Sequence, residues 1–157
     1  MAATPAVRVL EQAGVAHTLH PYEPEHAADQ GHGEAAVAAL GADPGQVFKT
    51  LVTRVDGRLT VAVVPVSGTL DLKALATAAG GRKAAMAEPA DAERATGYVL
   101  GGISPLGQRK ALPTVVDASA LEFPTVLVSA GKRGLQLELP PGELVRLTRA
   151  RTAPIGR

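Results

Sequence analysis

The 157-residue chain reads as an α/β protein of the α+β type, with a mixed, largely antiparallel sheet curled into a barrel-like core and helices packed outside. Three observations predict this. Helix-like and strand-like segments mix without the regular strand–helix alternation that a parallel sheet requires. Asp56-Gly57, between "VFKTLVTRV" and "RLTVAVVPV", is the turn chemistry of an antiparallel hairpin. From Tyr98 onward the apolar segments are short, at 98–101, 113–117, 125–129 and 134–139, and are punctuated by Pro, Gly and Asp. The length fits one domain, residues 1–157.

Taken in order, Thr4 caps a helix that has Pro5 at its first position, Ala6, Val9, Leu10 and Ala13 on one face, and Gly14 as its stop. "AHTLHPYE" (16–23) is an edge strand, because Pro21 has no N–H to give a ladder. A polar loop leads to a short helix, Glu34 to Leu40, closed by Gly41 and followed by an Asp43-Pro44-Gly45 turn. After the hairpin, Thr69 caps a helix that runs to Ala79, with Asp71 near its positive end. "EPADAERA" is a further helix that starts at Pro89 and stops before Gly97, and a last helix runs from Pro141 to about Arg149.

Composition narrows the chemistry. The formal net charge is +1 with both signs interspersed, which excludes a polybasic coat for DNA or RNA and gives no membrane-binding face. There is no cysteine, so disulfides, thiolate metal sites and a cysteine nucleophile are all excluded. The N-terminal segment carries Arg8 and Glu11 among its apolar positions and resembles neither a signal peptide nor a membrane span, so the protein is expected to be soluble and cytoplasmic.

Several segments could carry a site. Lys49 shares a strand face with Val47 and Leu51, and is either an edge lysine reaching solvent or a cation at the floor of a cleft. His17, His20, His26 and His32 lie within one short window, but their loose spacing across a polar loop favours solvated histidines over a metal site. A Ser/His/Asp triad has no G-x-S-x-G elbow to support it. In "GGISPLGQRK" (101–110), paired glycines end an apolar run, which marks a bulge, a turn, or a place where something approaches the backbone closely. "SAGKRG" (129–134) is a hairpin turn with solvated charges or a weak phosphate contact, and "RLTRAR" (146–151) is the solvated face of the last helix.

Read together, "VFKTLV", "VVPVSGTLDLKALA", "MAEPADAERATGYVLGGISPLGQRKALPTVVD" and "VSAGKRGLQLEL" resemble the YbaK family of Cys-tRNA(Pro) deacylases, relatives of the editing domain inserted in bacterial prolyl-tRNA synthetases. The loop "TGYVLGGISPLGQ" is similar to the YbaK branch rather than to relatives that clear alanine from tRNA(Pro). The resemblance implies a trans-editing enzyme without metal or organic cofactor. Its substrate is the acceptor end of tRNA(Pro) carrying cysteine, and the substrate's own thiol attacks its ester carbonyl. Such a second sieve is needed because side chains of similar volume differ by only ~1–3 kcal/mol in a binding pocket.

The resemblance also assigns residues. Lys49, Gly101 and Gly102 match the catalytic positions, with the glycine main chain as an oxyanion cradle. Tyr22, His32, Thr50, Ile103, Ser104, Pro105, Ser129 and Gln136 match substrate-binding positions. Two depart from the family pattern. Gln136 stands where an acid is usual, which keeps a hydrogen-bond acceptor but loses the charge that would hold an ammonium, and His32 stands where an aromatic ring is usual. Prolyl-tRNA synthetase is the expected protein partner, with no DNA and no membrane. The alternatives are a deacylase specific for Ser or Ala, or a non-catalytic module that binds aminoacyl-tRNA or a synthetase.

Overall fold

The computed structural model describes residues 4–23 and 32–157, with the side chains of His32 and Gly33 outside that set. Five α-helices and two sheets make up the described chain. Helix α1 (Pro5–Ala13) forms as expected, with the Thr4 hydroxyl accepting from the Val7 N–H at 3.3 Å and Gly14 ending it at φ 67°. Its buried face is Ala6, Val7 and Leu10, with Val7 in place of the expected Val9 and Ala13 exposed, and it packs into the main core beside Val126, Val128, Leu135, Leu137 and Leu139. Strand β1 (Thr18–Pro21) is the edge strand that Pro21 requires, and helix α2 (His32–Leu40) begins two residues earlier than the sequence indicates.

The Asp56-Gly57 turn joins β2 (Phe48–Val55) to β3 (Arg58–Pro65), paired antiparallel from Phe48–Pro65 to Val55–Arg58. Helix α3 (Leu72–Ala78) is shorter than expected, because Asp71 rather than Thr69 is its cap and accepts from the Ala74 N–H at 3.0 Å. Thr69 instead exchanges main-chain hydrogen bonds with Arg157. β4 (Ala84–Met86), which the sequence reading missed, pairs with the far end of β2. Helix α4 (Pro89–Thr96) follows and stops at Gly97.

The expected strand at 98–101 is absent, for reasons that belong to the site below. β5 (Thr114–Asp117), a 3-10 turn over 118–122, β6 (Val126–Lys132), β7 (Leu135–Leu139) and α5 (Pro141–Thr148) complete most of the rest. Helix α5 ends at Arg149 in the left-handed region, so "RLTRAR" is not one helical face: Arg151–Ala153 forms β8 alongside β5. One sheet has the order β1-β7-β6 and the other β4-β2-β3-β5-β8, with parallel pairs only at β3·β5 and β5·β8. They share one isolated parallel bridge, Val47 to Leu127, and pack together in the main core, but neither closes on itself, so this strand order does not carry the expected barrel-like closure. Among the described residues no helix is long and apolar enough to cross a membrane.

Asp117 fastens the C-terminal segment. Its buried carboxylate accepts from the Ile155 and Gly156 N–H groups at 2.9 and 2.8 Å and from the Ser119 hydroxyl at 2.5 Å. Burial pushes this carboxyl up, but the Ser119 hydroxyl and the Gly156 and Ile155 amides together hold it below the ordinary carboxylate value. A carboxyl depressed in the folded state stabilises the fold above its unfolded pKa of about 3.9, and that stability is lost as pH falls through the lower folded value. Denaturant titrations of Asp117→Asn should therefore show lower stability than the parent at neutral pH and a shallower decline below about pH 4.

Candidate active site

Strand β2 has an interrupted edge. β3 covers one side of it throughout, whereas the other side is met by β6 at Val47 and by β4 only from Thr53 onward. In a two-residue hairpin the closing pair exchanges both hydrogen bonds, so Val55, Thr53, Leu51 and Lys49 bond to β3 and the alternate residues point the other way. The Val52 carbonyl obeys this rule by accepting from the Ala87 N–H at 3.0 Å. Thr50 thus directs its own N–H and C=O out of the sheet at the unpaired stretch.

A cavity of about 250 Å³ opens there, lined by Phe48, Lys49, Thr50 and Leu51 of β2, by Leu100, Gly101 and Ile103, by Ser129 and Gln136, and by Glu34 of α2. It lies below the ~300–1,000 Å³ typical of drug-sized sites, so it suits a small acyl group rather than a nucleotide. The Lys49 amine donates to the Gly68 carbonyl at 3.1 Å, which uses one of its three donors and leaves two for a ligand.

The opposite wall explains the glycines. Gly102 donates its N–H to the Val99 carbonyl at 2.9 Å and Gly101 has φ 85°, so 99–102 is a tight turn with its third residue in the left-handed region that glycine tolerates. This turn replaces the expected strand. The Leu100 peptide is held from both ends, with its N–H on the Glu93 carboxylate at 2.9 Å and its carbonyl on Arg133 Nε at 3.0 Å. Below it the buried Tyr98 hydroxyl donates to the Leu106 carbonyl at 2.7 Å, and burial pushes its pKa up to about 12, so it is neutral at any ordinary pH. Among the described residues the Gly101 N–H has no hydrogen-bond partner.

The third wall belongs to the smaller sheet, where Gln136 of β7 stands opposite Ser129 of β6 and His20 of β1. Gln136 is 6% exposed, and its Oε1 and the Thr50 Oγ1 are buried with no hydrogen-bond partner among the described residues. An unpartnered buried polar atom costs about 1–3 kcal/mol, and both of these belong to residues that line the cavity. The acid nearest along the strand, Glu138, is already committed. The Thr125 hydroxyl at 2.5 Å and His20 Nε2 at 2.8 Å hold its carboxyl below the usual range.

Lys49, Thr50, Gly101, Ile103, Ser129 and Gln136 are therefore brought to one cavity. Other residues assigned to the site from the sequence stand elsewhere. Gly102 spends its N–H within the turn and packs on the main chain of Lys132 and Arg133. Ser104 is fully buried, its hydroxyl accepting from the Leu106 N–H at 3.2 Å, and Pro105 faces a different hollow beside Leu147. Tyr22 borders a separate hollow with Pro21, Glu23 and Ala39. The His32 side chain and all of His26 lie outside the described residues. His17 bonds the Val15 carbonyl. Sequence reasoning missed Glu34, Phe48, Leu51 and Leu100. Strand alternation offered a signal for Leu51, which shares the Lys49 face, and for Phe48, which shares the Thr50 face.

Residues 29–147, which include every wall of this cavity, match the family model described as the aminoacyl-tRNA editing domain. The chain belongs to that family. An Enterococcus faecalis protein (strain ATCC 700802 / V583) with the provisional name Cys-tRNA(Pro)/Cys-tRNA(Cys) deacylase EbsC is 41% identical over 157 residues, covering 97% of this chain and 92% of that one. The multifunctional Ser/Thr-tRNA deacylase ProXp-y of Escherichia coli (strain K12) is 30% identical over 119 residues, covering 73% of this chain and 71% of that one. A crystal structure described provisionally as a trans-editing enzyme for prolyl-tRNA synthetase superposes with a TM-score of 0.83 at 28% identity, over 100% of this chain and 99% of that one.

In this editing domain the paired glycines do different jobs, and the difference is measurable. A Cβ on Gly102 would come within 2.9 Å of the Lys132 and Arg133 main chain, which cannot swing aside as a side-chain tip can. Gly102→Ala should lower unfolding stability by about 1–3 kcal/mol, the usual cost of overpacking, as read by denaturant titration. Tyr98→Phe leaves the Leu106 carbonyl unpaired, and a loss of about 1–3 kcal/mol is expected in the same assay.

Proposed function

We propose that this editing domain is a deacylase that clears cysteine from mischarged tRNA(Pro), acting in trans in the cytoplasm. The observation that carries the reading is the cavity at the open edge of β2, a space the size of an aminoacyl group lined by the cation Lys49, by Gly101, whose N–H has no partner among the described residues, and by Thr50 and Gln136, each with an unpartnered polar atom. The Gly101 N–H faces the developing oxyanion of the acyl carbonyl, a contact worth ~3–4 kcal/mol in other acyl-transfer sites. Lys49 holds the ester region or the terminal ribose rather than moving a proton.

The attacking atom comes from the substrate. The chain has no cysteine, and among the described residues neither the Thr50 nor the Ser129 hydroxyl is hydrogen-bonded to a histidine or a carboxylate that would act as its base. The cysteinyl sulfur forms a bond to its own carbonyl carbon as the ester C–O bond breaks, and the thiol proton ends on the departing ribose oxygen. The products are a cyclic thiolactone and tRNA with a free 3′ end; water then opens the thiolactone to cysteine. With a net charge of +1 and no basic stripe, the domain grips only the acceptor end, and selection of tRNA(Pro) comes from association with prolyl-tRNA synthetase.

A second acyl group is favoured by one observation: the relative that is 30% identical is named for Ser and Thr rather than Cys. The test compares hydrolysis of Cys-, Ser- and Ala-tRNA(Pro) by the purified chain, with the released product identified by mass. Cysteine or its thiolactone is the expected product. Lys49→Ala should lower kcat/KM by about 100-fold, the scale of losing one charge-stabilising group. Release of no amino acid from any of the three would refute the deacylase reading in favour of a binding module.

A further inference from the structure

The cavity wall sorts its charges unevenly. Lys49 brings a cation to the cavity, the buried lining contains no carboxylate, and Glu34, the one acid in that lining, is an exposed residue of α2. An aminoacyl group has two polar ends besides its ester, a charged ammonium and, in some amino acids, a neutral side-chain donor. Placing the ammonium deep in the cavity would desolvate a second cation near Lys49 with no buried counter-charge, which is unfavourable on both counts. A neutral O–H or S–H carries neither cost. It also offers a donor to the Gln136 carbonyl oxygen and a partner to the Thr50 hydroxyl, which have none among the described residues.

We infer that Gln136 reads the side chain of the aminoacyl group rather than its ammonium: the Gln136 Oε1 accepts the side-chain S–H or O–H, Thr50 lies beside it, and the ammonium turns to the cavity mouth at Glu34. This rests on the deacylase reading and names the acyl class that site selects, small groups with a side-chain hydrogen-bond donor. It also fits the chemistry. An S–H that donates to Gln136 leaves a sulfur lone pair free to face the carbonyl, and as the C–S bond forms the proton leaves Gln136 for the departing ribose oxygen. Alanine, with no donor, leaves both buried atoms unpartnered, and a site built to bond a donor discriminates strongly against an analogue without one. Gln136 is a specificity-determining residue of this chain, and Glu34 takes the charge that position 136 does not supply.

The experiment measures kcat/KM of the full chain and of Gln136→Met, similar in shape but without polar atoms, on tRNA(Pro) carrying Cys, Ser or Ala. Cys-tRNA(Pro) acetylated on its amino group is a fourth substrate. Preference for Cys and Ser over Ala should fall by about 10- to 100-fold in Gln136→Met, the cost of leaving one buried donor–acceptor pair unmade. Acetylation should change hydrolysis by the parent chain little. Thr50→Val, with a thermal melt as the folding control, should shift the same ratio in the same direction and guards against a Gln136 variant that fails to fold. An unchanged ratio in folded variants overturns the inference. So does a loss on acetylation that matches the Gln136→Met loss, because Gln136 would then hold the amino group. No hydrolysis of any substrate by the parent chain overturns the deacylase reading itself.

Discussion

A strand paired along one edge for its whole length, and along the other only at its ends, leaves a stretch of main chain that something must satisfy. That is the condition of β2 between Val47 and Thr53. Backbone N–H and C=O groups that are neither paired nor solvated are costly, so an interrupted edge inside a fold is filled by another strand, by water or by a ligand. Here the smaller sheet approaches at Leu127 and diverges, β4 arrives too late in the strand, and the cavity occupies the difference. Lys49 and Thr50 line the cavity because they sit on that stretch.

The remaining walls exist to hold the gap at one width. Tyr98 anchors the loop from beneath, Glu93 and Arg133 hold the Leu100 peptide from opposite sides, and Gly102 lets the loop lie against the β6–β7 turn without a side chain between them. None of these touches the cavity's centre, yet together they set where the Gly101 N–H stands. Lys49 is treated similarly: its amine is tied to Gly68, whose turn is held in place by main-chain bonds between Thr69 and Arg157 and by the ion pair of Asp71 with Arg157. The protein supplies a rigid frame and brings few reactive groups of its own, which suits a reaction whose nucleophile rides in on the substrate.

Much of this frame was legible from local signals. Thr4 and Pro5 announced α1, Asp56-Gly57 announced the β2–β3 hairpin, and Pro21 announced the edge strand, because caps, turns and missing donors act within a few residues. The misreadings came where a distant contact outweighed a local preference. Thr69 is a sound cap by itself but is taken by Arg157, which hands the cap to Asp71, and Tyr98-Val99-Leu100 has strand-like residues but is bent by the Gly101 turn and by Tyr98's anchor on Leu106. Ser104 and Pro105 are assigned to the pocket by the family resemblance, yet Ser104 is fully buried and Pro105 borders the hollow beside Leu147. Glu34 and Leu100 meet Gln136 only through the packing of three separate segments, and no spacing along the chain encodes that meeting.

The central claim is that the acyl group lies in the gap of β2, against the Gly101 turn. Amide chemical shifts recorded while titrating the chain with a non-hydrolysable adenosine that carries cysteine in amide linkage at its 3′ position test it most directly. The account predicts that the Thr50, Gly101 and Ile103 amides shift together and saturate at one ligand concentration. Shifts confined to Tyr22, Glu23 and Ala39, with those three amides unmoved, would place the ligand in the other hollow and contradict it.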